Sequence, residues 1–300
     1  MRLLRPDPAE MNRRARHGGT APEPAPATAS PAVPRARWKL SLPLAAVAVA
    51  TPMAVAFGAA WTLPRGTGQA IVTTTYGQGS QYLRENGGAQ RVPEYRKLET
   101  TALIEYGVTD AVTLIANPSL FGARVGGSPS DRYTGLGYTD LGLRTRLWHD
   151  DQGAISLQAL ARIPGAREDS RRAQFGNTDN QVDIRVLAGR GFALSDMTGY
   201  VNFEAAYRTR LDDPPNEWRF DLSLGIRPRP DVTLLAQSFN VISDGEGHGA
   251  YPSYWYSKAQ LSVLWNVSGP WTLQAGAYTT VAAQNALRES GGVLSVWRSF

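Results

Sequence analysis

"VLSVWRSF" (residues 293–300) ends the chain as a strand and not as a polar tail. Leu294, Val296 and Phe300 fall on one face of it, at the period of two that extended backbone imposes. Chain ends are usually frayed and polar. A strand whose last residue is a large aromatic implies a use for that residue where it stands. The same alternation then runs back through most of the chain.

Twelve strands are expected, near 67–78, 94–108, 111–120, 136–149, 154–164, 179–191, 198–210, 217–227, 231–243, 254–266, 271–282 and 292–300. Short turns join them in pairs: "GVTDAVT" (107–113), "WHDDQGA" (148–154), "FALSDMT" (192–198), "RPRPDVT" (227–233) and "NVSGPWT" (266–272). Between the pairs lie longer stretches rich in Gly, Ser, Asp, Asn and Pro, such as "GAREDSRRAQFGNTDN" and "SDGEGHGAYPS". Three more of these, "GQGSQYLRENGGAQRVP", "GARVGGSPSDRYTG" and "AQNALRESGG", are expected to be long loops as well. Short turns at one end and long loops at the other is the asymmetry of an outer-membrane barrel.

One face of the strands is apolar: Leu141, Leu143 and Leu147, then Val182, Ile184 and Val186, then Leu261, Val263 and Trp265. No charge interrupts it before Arg298. The other face carries Lys97, Glu99, Glu105, Asp140, Arg144, Arg146, Arg162, Asp183 and Arg185, followed by Glu204, Arg208, Arg210, Arg219, Asp221, Arg227 and Lys258. A soluble sandwich gives the same alternation with the apolar face inward. Strands about twice the usual globular length decide for the inverted arrangement, apolar to lipid and polar to lumen. A spanning sheet must also close on itself, which an even strand number allows. The expected fold is therefore all-β: a 12-stranded antiparallel transmembrane β-barrel over residues 59–300, with short periplasmic turns and longer extracellular loops. Trp61, Trp148, Trp255, Trp265 and Trp271 fall near strand ends, where interfacial girdles sit.

The formal charge of +5 would suggest an anionic partner, but its position removes the suggestion. Eight basic and three acidic residues precede Ala59, and 23 of each follow. Nucleic acid is not expected. "RARWK" and the uncharged run "LSLPLAAVAVATPMAVAFGAA" read as a cleaved signal peptide over 35–58, with small residues Ala56 and Gly58 before the cut. Residues 1–34 are Pro/Ala-rich, and two readings stay open for them: a disordered leader or a start assigned too early. The chain has no cysteine, so disulfides and thiol chemistry are excluded.

Two resemblances follow. The final strand, with Leu294, Val296 and Phe300, resembles the carboxy-terminal signal of bacterial outer-membrane barrels; by resemblance, it is what the barrel-assembly machinery reads as it adds a strand to an open edge. Arg298 stands where an apolar residue is usual. "AWTLPRGTGQAIVTTTYG" and "LIEYGVTDAVTLIANPSL" look like a broad set of poorly characterised proteobacterial outer-membrane barrels of the transporter type, including those associated with meta-pathway phenol degradation. That resemblance implies a Gram-negative outer-membrane location, with membrane lipid, lipopolysaccharide and periplasmic chaperones as partners. It carries over no functional residue.

Catalytic chemistry is sparse. His17, His149 and His248 are the only histidines, and none lies on an expected strand face, which argues against a lipid-modifying Ser/His pair. "GGSPS" (126–130) is not a nucleophile elbow. Asp244, Glu246 and His248 are metal-ligand types in a loop whose composition is ordinary for one. No enzyme activity, cofactor or metal is expected. The charged inner face is the informative constellation. Its ten basic against six acidic residues would brace the wall, line an anion-favouring pore, or both. The expectation is a passive channel for a small solute, anionic or aromatic. The alternative is a non-conducting barrel with a structural or accessory role in an envelope or exopolysaccharide export system.

Overall fold

A computed structural model describes residues 60–167, 171–174, 176–249 and 251–300. The leader and signal-peptide expectations lie outside the described residues. The strands are β1 (Gly68–Leu83), β2 (Ala89–Thr109), β3 (Val112–Val125), β4 (Asp131–His149), β5 (Gly153–Pro164) and β6 (Gln181–Leu194). They continue with β7 (Met197–Arg210), β8 (Glu217–Arg229), β9 (Val232–Ser243), β10 (Trp255–Ser268), β11 (Trp271–Gln284) and β12 (Ala286–Ser299). Each pairs antiparallel with its sequence neighbours, and β12 returns to β1 to close the barrel.

The apolar face turns outward. Leu261 is 69% exposed and Leu294 64%, with Val182, Ile184, Val186, Leu141 and Leu143 also exposed. In water this would be an aggregation surface, so the fold requires lipid around it. Trp148, Trp265 and Trp271 ring the turn end, while Trp218 and Trp255 stand at the loop end. The outer face is not free of charge before Arg298: Arg96, Arg124 and Arg132 point out at the loop end, and so does Arg190 at the turn end. Arg190 lies 3.9 Å from Asp150, where the membrane gives way to water.

The seam explains the last residue. Phe300 and Gly68 exchange both backbone hydrogen bonds, at 2.7 and 2.9 Å. The Phe300 ring covers Gly68 so closely that a Cβ there would lie 2.3 Å from it. Arg298 stacks over the Trp271 ring at 5.2 Å, which gives its cation a partner at the rim.

Three expected loops are strands instead. β1 and β2 keep pairing out to Leu83 and Ala89, leaving a connection of residues 84–88 closed by Gly87 at φ 75°. β3 and β4 pair to Val125 and Asp131, and β11 and β12 are separated by Asn285 alone, at φ 50°. Gly- and Ser-rich composition reads as loop in isolation. In a closed barrel a neighbour on each side satisfies the backbone, and the strands project past the membrane.

Candidate functional site

The sheet twist and the period of two put the charged faces of all strands into one lumen. Lys97, Glu99, Asp140, Arg144, Arg146, Arg162, Asp183, Arg185, Glu204, Arg208, Arg219 and Asp221 all lie on the inner wall. On the β4–β8 side they form an ionic network around Asp183 and Glu217, with a separate Arg162–Asp140 pair beside it. Arg162 meets Asp140 at 3.0 Å, Arg208 meets Asp183 at 2.9 Å, and Arg219 meets Glu217 at 2.9 Å. Arg185 bridges Asp183, Glu204 and Asp221. Opposite, Glu289 of β12 sits between Lys97 (3.2 Å) and Lys258 (2.6 Å) and accepts a hydrogen bond from the Tyr278 hydroxyl.

Three acids in these networks, Asp179, Glu217 and Glu289, are absent from the inner-face set read from sequence. Glu289 falls in a segment that reads as a loop, and Asp179 and Glu217 lie at strand boundaries. With them the described inner-face set holds ten basic residues against nine acidic ones, so the basic excess inferred from sequence nearly disappears. Buried cations are costly unless paired, and among the described residues all of these but Arg146 and Arg227 have an ion-pair partner.

The turn end is narrowed by residues 60–64, which precede β1. Ala60 is fully buried and its carbonyl accepts from the Ser156 hydroxyl of β5. Arg144 donates to the Trp61 carbonyl at 3.1 Å and to Glu105 at 2.7 Å, and the Leu63 N–H donates to Thr113 at 2.8 Å. Trp61 lies against Gly189 of β6, where a Cβ would come within 2.3 Å of its ring. Trp61 is therefore inside the barrel and not in the interfacial girdle. Composition cannot separate the two positions, since both suit an indole.

Between this plug and the ionic networks is a lumen cavity of about 380 Å³. Gln69, Gln158, Gln237, Gln260 and Gln274 present amides to it. Tyr200, Leu235, Leu264 and Trp297 form an apolar cluster on the β7–β12 side. Trp297 donates to Gln274 at 3.2 Å.

At the loop end, the described part of the β5–β6 connection folds inward. Ala173 packs on Phe121 and Ala123 of the inner wall, and Arg171 donates to Asp131 at 2.8 Å. Arg210 clamps Asp179, which also accepts from Tyr138 at 3.0 Å. Burial pushes the Asp179 carboxyl up, but the Arg210 guanidinium and the Tyr138 and Gln181 hydrogen bonds outweigh it and hold it below the usual range. A depressed carboxylate stabilises fully above its unfolded value of about 3.9 and loses that contribution as pH falls through the folded value. The latch is thus expected to hold from pH 8 to 5 and to loosen only below about pH 4. Asp179→Asn should speed trypsin cleavage after the already exposed Arg167, Arg171 and Arg172 at neutral pH by loosening the backbone there, and limited proteolysis checks this.

Other candidate groups stay apart. His149 ends β4 and is exposed; His248 donates its backbone N–H to Asp213 in the β9–β10 connection. Asp244 accepts from Tyr207 at 2.7 Å, and no metal-holding cluster occurs among the described residues. Asp150 caps its turn by accepting from the Gln152 and Gly153 N–H groups.

The COG4313 outer membrane channel from Pseudomonas putida F1 has the same fold at 15% identity, with a TM-score of 0.67 over 82% of this chain and 100% of that one. The NanC porin (9% identity, TM-score 0.49, 75% and 98% covered) and the KdgM porin (7%, 0.47, 77% and 99%) are less similar. No match is found among curated proteins. The family described as "Putative MetA-pathway of phenol degradation" matches residues 66–296, nearly the whole barrel, and the chain belongs to that family.

Proposed function

We propose that the protein is a passive outer-membrane channel for a small aromatic solute with polar substituents, neutral or anionic. The observation that carries this reading is the amide-lined cavity with Tyr200 and Trp297 in its wall. Glutamine side chains offer donors and acceptors that trade hydrogen bonds with a passing solute without trapping it, as conduction requires. The aromatic and leucine cluster matches the flat faces of such a solute. The family description, with its mention of phenol degradation, agrees with this chemistry. On this reading the barrel has no enzymatic role.

The paired charges argue for weak ion selectivity. Single-channel recording of the full chain in a planar bilayer, with reversal potential under a salt gradient, is the test. Small discrete steps with a reversal potential near zero, blocked in part by a hydroxybenzoate, are the expected result, and Trp297→Ala should weaken the block.

A second reading is favoured by one observation: residues 60–64 and the inward-folded connection narrow both ends. A barrel that is folded yet silent in the bilayer, with and without those segments, would move the assignment to a non-conducting accessory barrel of an envelope or export system.

A further inference from the structure

The outer wall of β2, β3 and β4 departs from the rest of the exterior at the loop end. Arg96, Arg124 and Arg132 stand directly opposite one another across the three strands. Like charges so placed repel and weaken a sheet. Glu94 pairs with Arg96 at 2.8 Å, and among the described residues the side chains of Arg124 and Arg132 carry no ion pair.

One row toward the membrane lie Leu98, Gly122 and Thr134, and beneath them Thr100, Leu120 and Leu136. Gly122 leaves a hollow in this face, since a Cβ there would meet nothing closer than 3.7 Å. A cavity of about 550 Å³ opens over it, with the three arginines at its rim and exposed Leu98 and Leu120 in its floor.

The height of the row is informative. Ten residues of strand separate Tyr106, near the turn end, from Arg96. At about 3.3 Å per residue and a tilt near 40°, this is roughly 25 Å, the height of the apolar band of such barrels. With the turns periplasmic and the loops extracellular, as expected for the outer-membrane channel proposed above, the arginines stand where the headgroups of the outer leaflet begin.

We propose that this wall binds lipopolysaccharide, with its lipid phosphates held by Arg96, Arg124 and Arg132 and its acyl chains lying over the Gly122 hollow. Guanidinium groups bind phosphate oxygens in a fork. Three of them spread over about 10 Å of sheet suit a ligand with more than one phosphate and several chains better than a single-phosphate lipid. The apolar floor directly below the cations fits an amphiphile and not a free anion.

The test is a binding titration, independent of conduction, of the full chain extracted in mild detergent. The probes are purified deep-rough lipopolysaccharide, the same lipid dephosphorylated, and phosphatidylglycerol vesicles. The R96Q/R124Q/R132Q variant is expected to bind lipopolysaccharide about tenfold more weakly or worse. Gly122→Leu, which fills the hollow without touching charge, should also weaken it, and Arg229→Gln should not. Heat-modifiable migration shows which variants have folded; if the triple variant has not, Arg124→Gln alone takes its place, with a smaller loss expected. Unchanged affinity in the arginine and Gly122 variants overturns the proposal. So does equal binding of dephosphorylated lipid or of phosphatidylglycerol.

Discussion

Asp183→Ala is expected to destabilise the barrel by about 3–5 kcal/mol, the cost of stranding a buried charge. Asp183 is fully buried, and its Oδ2 accepts from both Nε and Nη2 of Arg208, at 3.1 and 2.9 Å. Its other oxygen faces Arg185. Arg185 keeps Glu204 and Asp221, but Arg208 is left with Glu217 at 3.9 Å. The guanidinium then sits in a wall with no close acceptor for two of its donors. Equilibrium unfolding in detergent or lipid, followed by tryptophan fluorescence, measures the loss. The contrast is Asp231→Ala at the exposed turn, where the 2.9 Å pair with Arg229 is largely solvated and removal should cost under about 1 kcal/mol. Equal effects at the two sites would mean that the lumen is filled with water that screens the network.

Removal of residues 60–64 is expected to raise single-channel conductance several-fold. These residues occupy the turn-end mouth through hydrogen bonds to Ser156, Arg144 and Thr113 and through Trp61 against Gly189. The groups they leave are polar and would be taken up by water entering the mouth, so the wall should remain folded. Trp61→Ala, which removes only the indole, should give an intermediate rise. Conductance unchanged in both variants would place the narrowest point at the ionic networks or at the inward-folded β5–β6 connection.

The two predictions differ in how far the sequence alone could have led to them. Asp183, Arg185 and Arg208 are visible as inner-face residues, because their strands alternate cleanly between Val182, Ile184 and Val186 and their polar neighbours. Which of them pair was not visible. Asp183 meets Arg208 through the register of β6 on β7. Glu289 meets Lys97 of β2 only because β12 closes onto β1, and it meets Lys258 of β10 across β11. The apparent cationic excess became near balance because the missing acids lay in loop-like segments or at strand boundaries, where alternation assigns no face.

By itself the sequence determined the number of strands, their order, the short turns and which side of each strand faces lipid. All of these are local properties: alternation has a period of two residues, a turn is set by four, and the bilayer reads the apolar face directly. The tertiary structure alone decided the extended hairpins, the ion-pair partners, the position of Trp61 inside the barrel and the row of three outward arginines. Each depends on which residues closure and register place side by side, and segments far apart in the chain acquire that relation only when the last strand, ending at Phe300, pairs with the first.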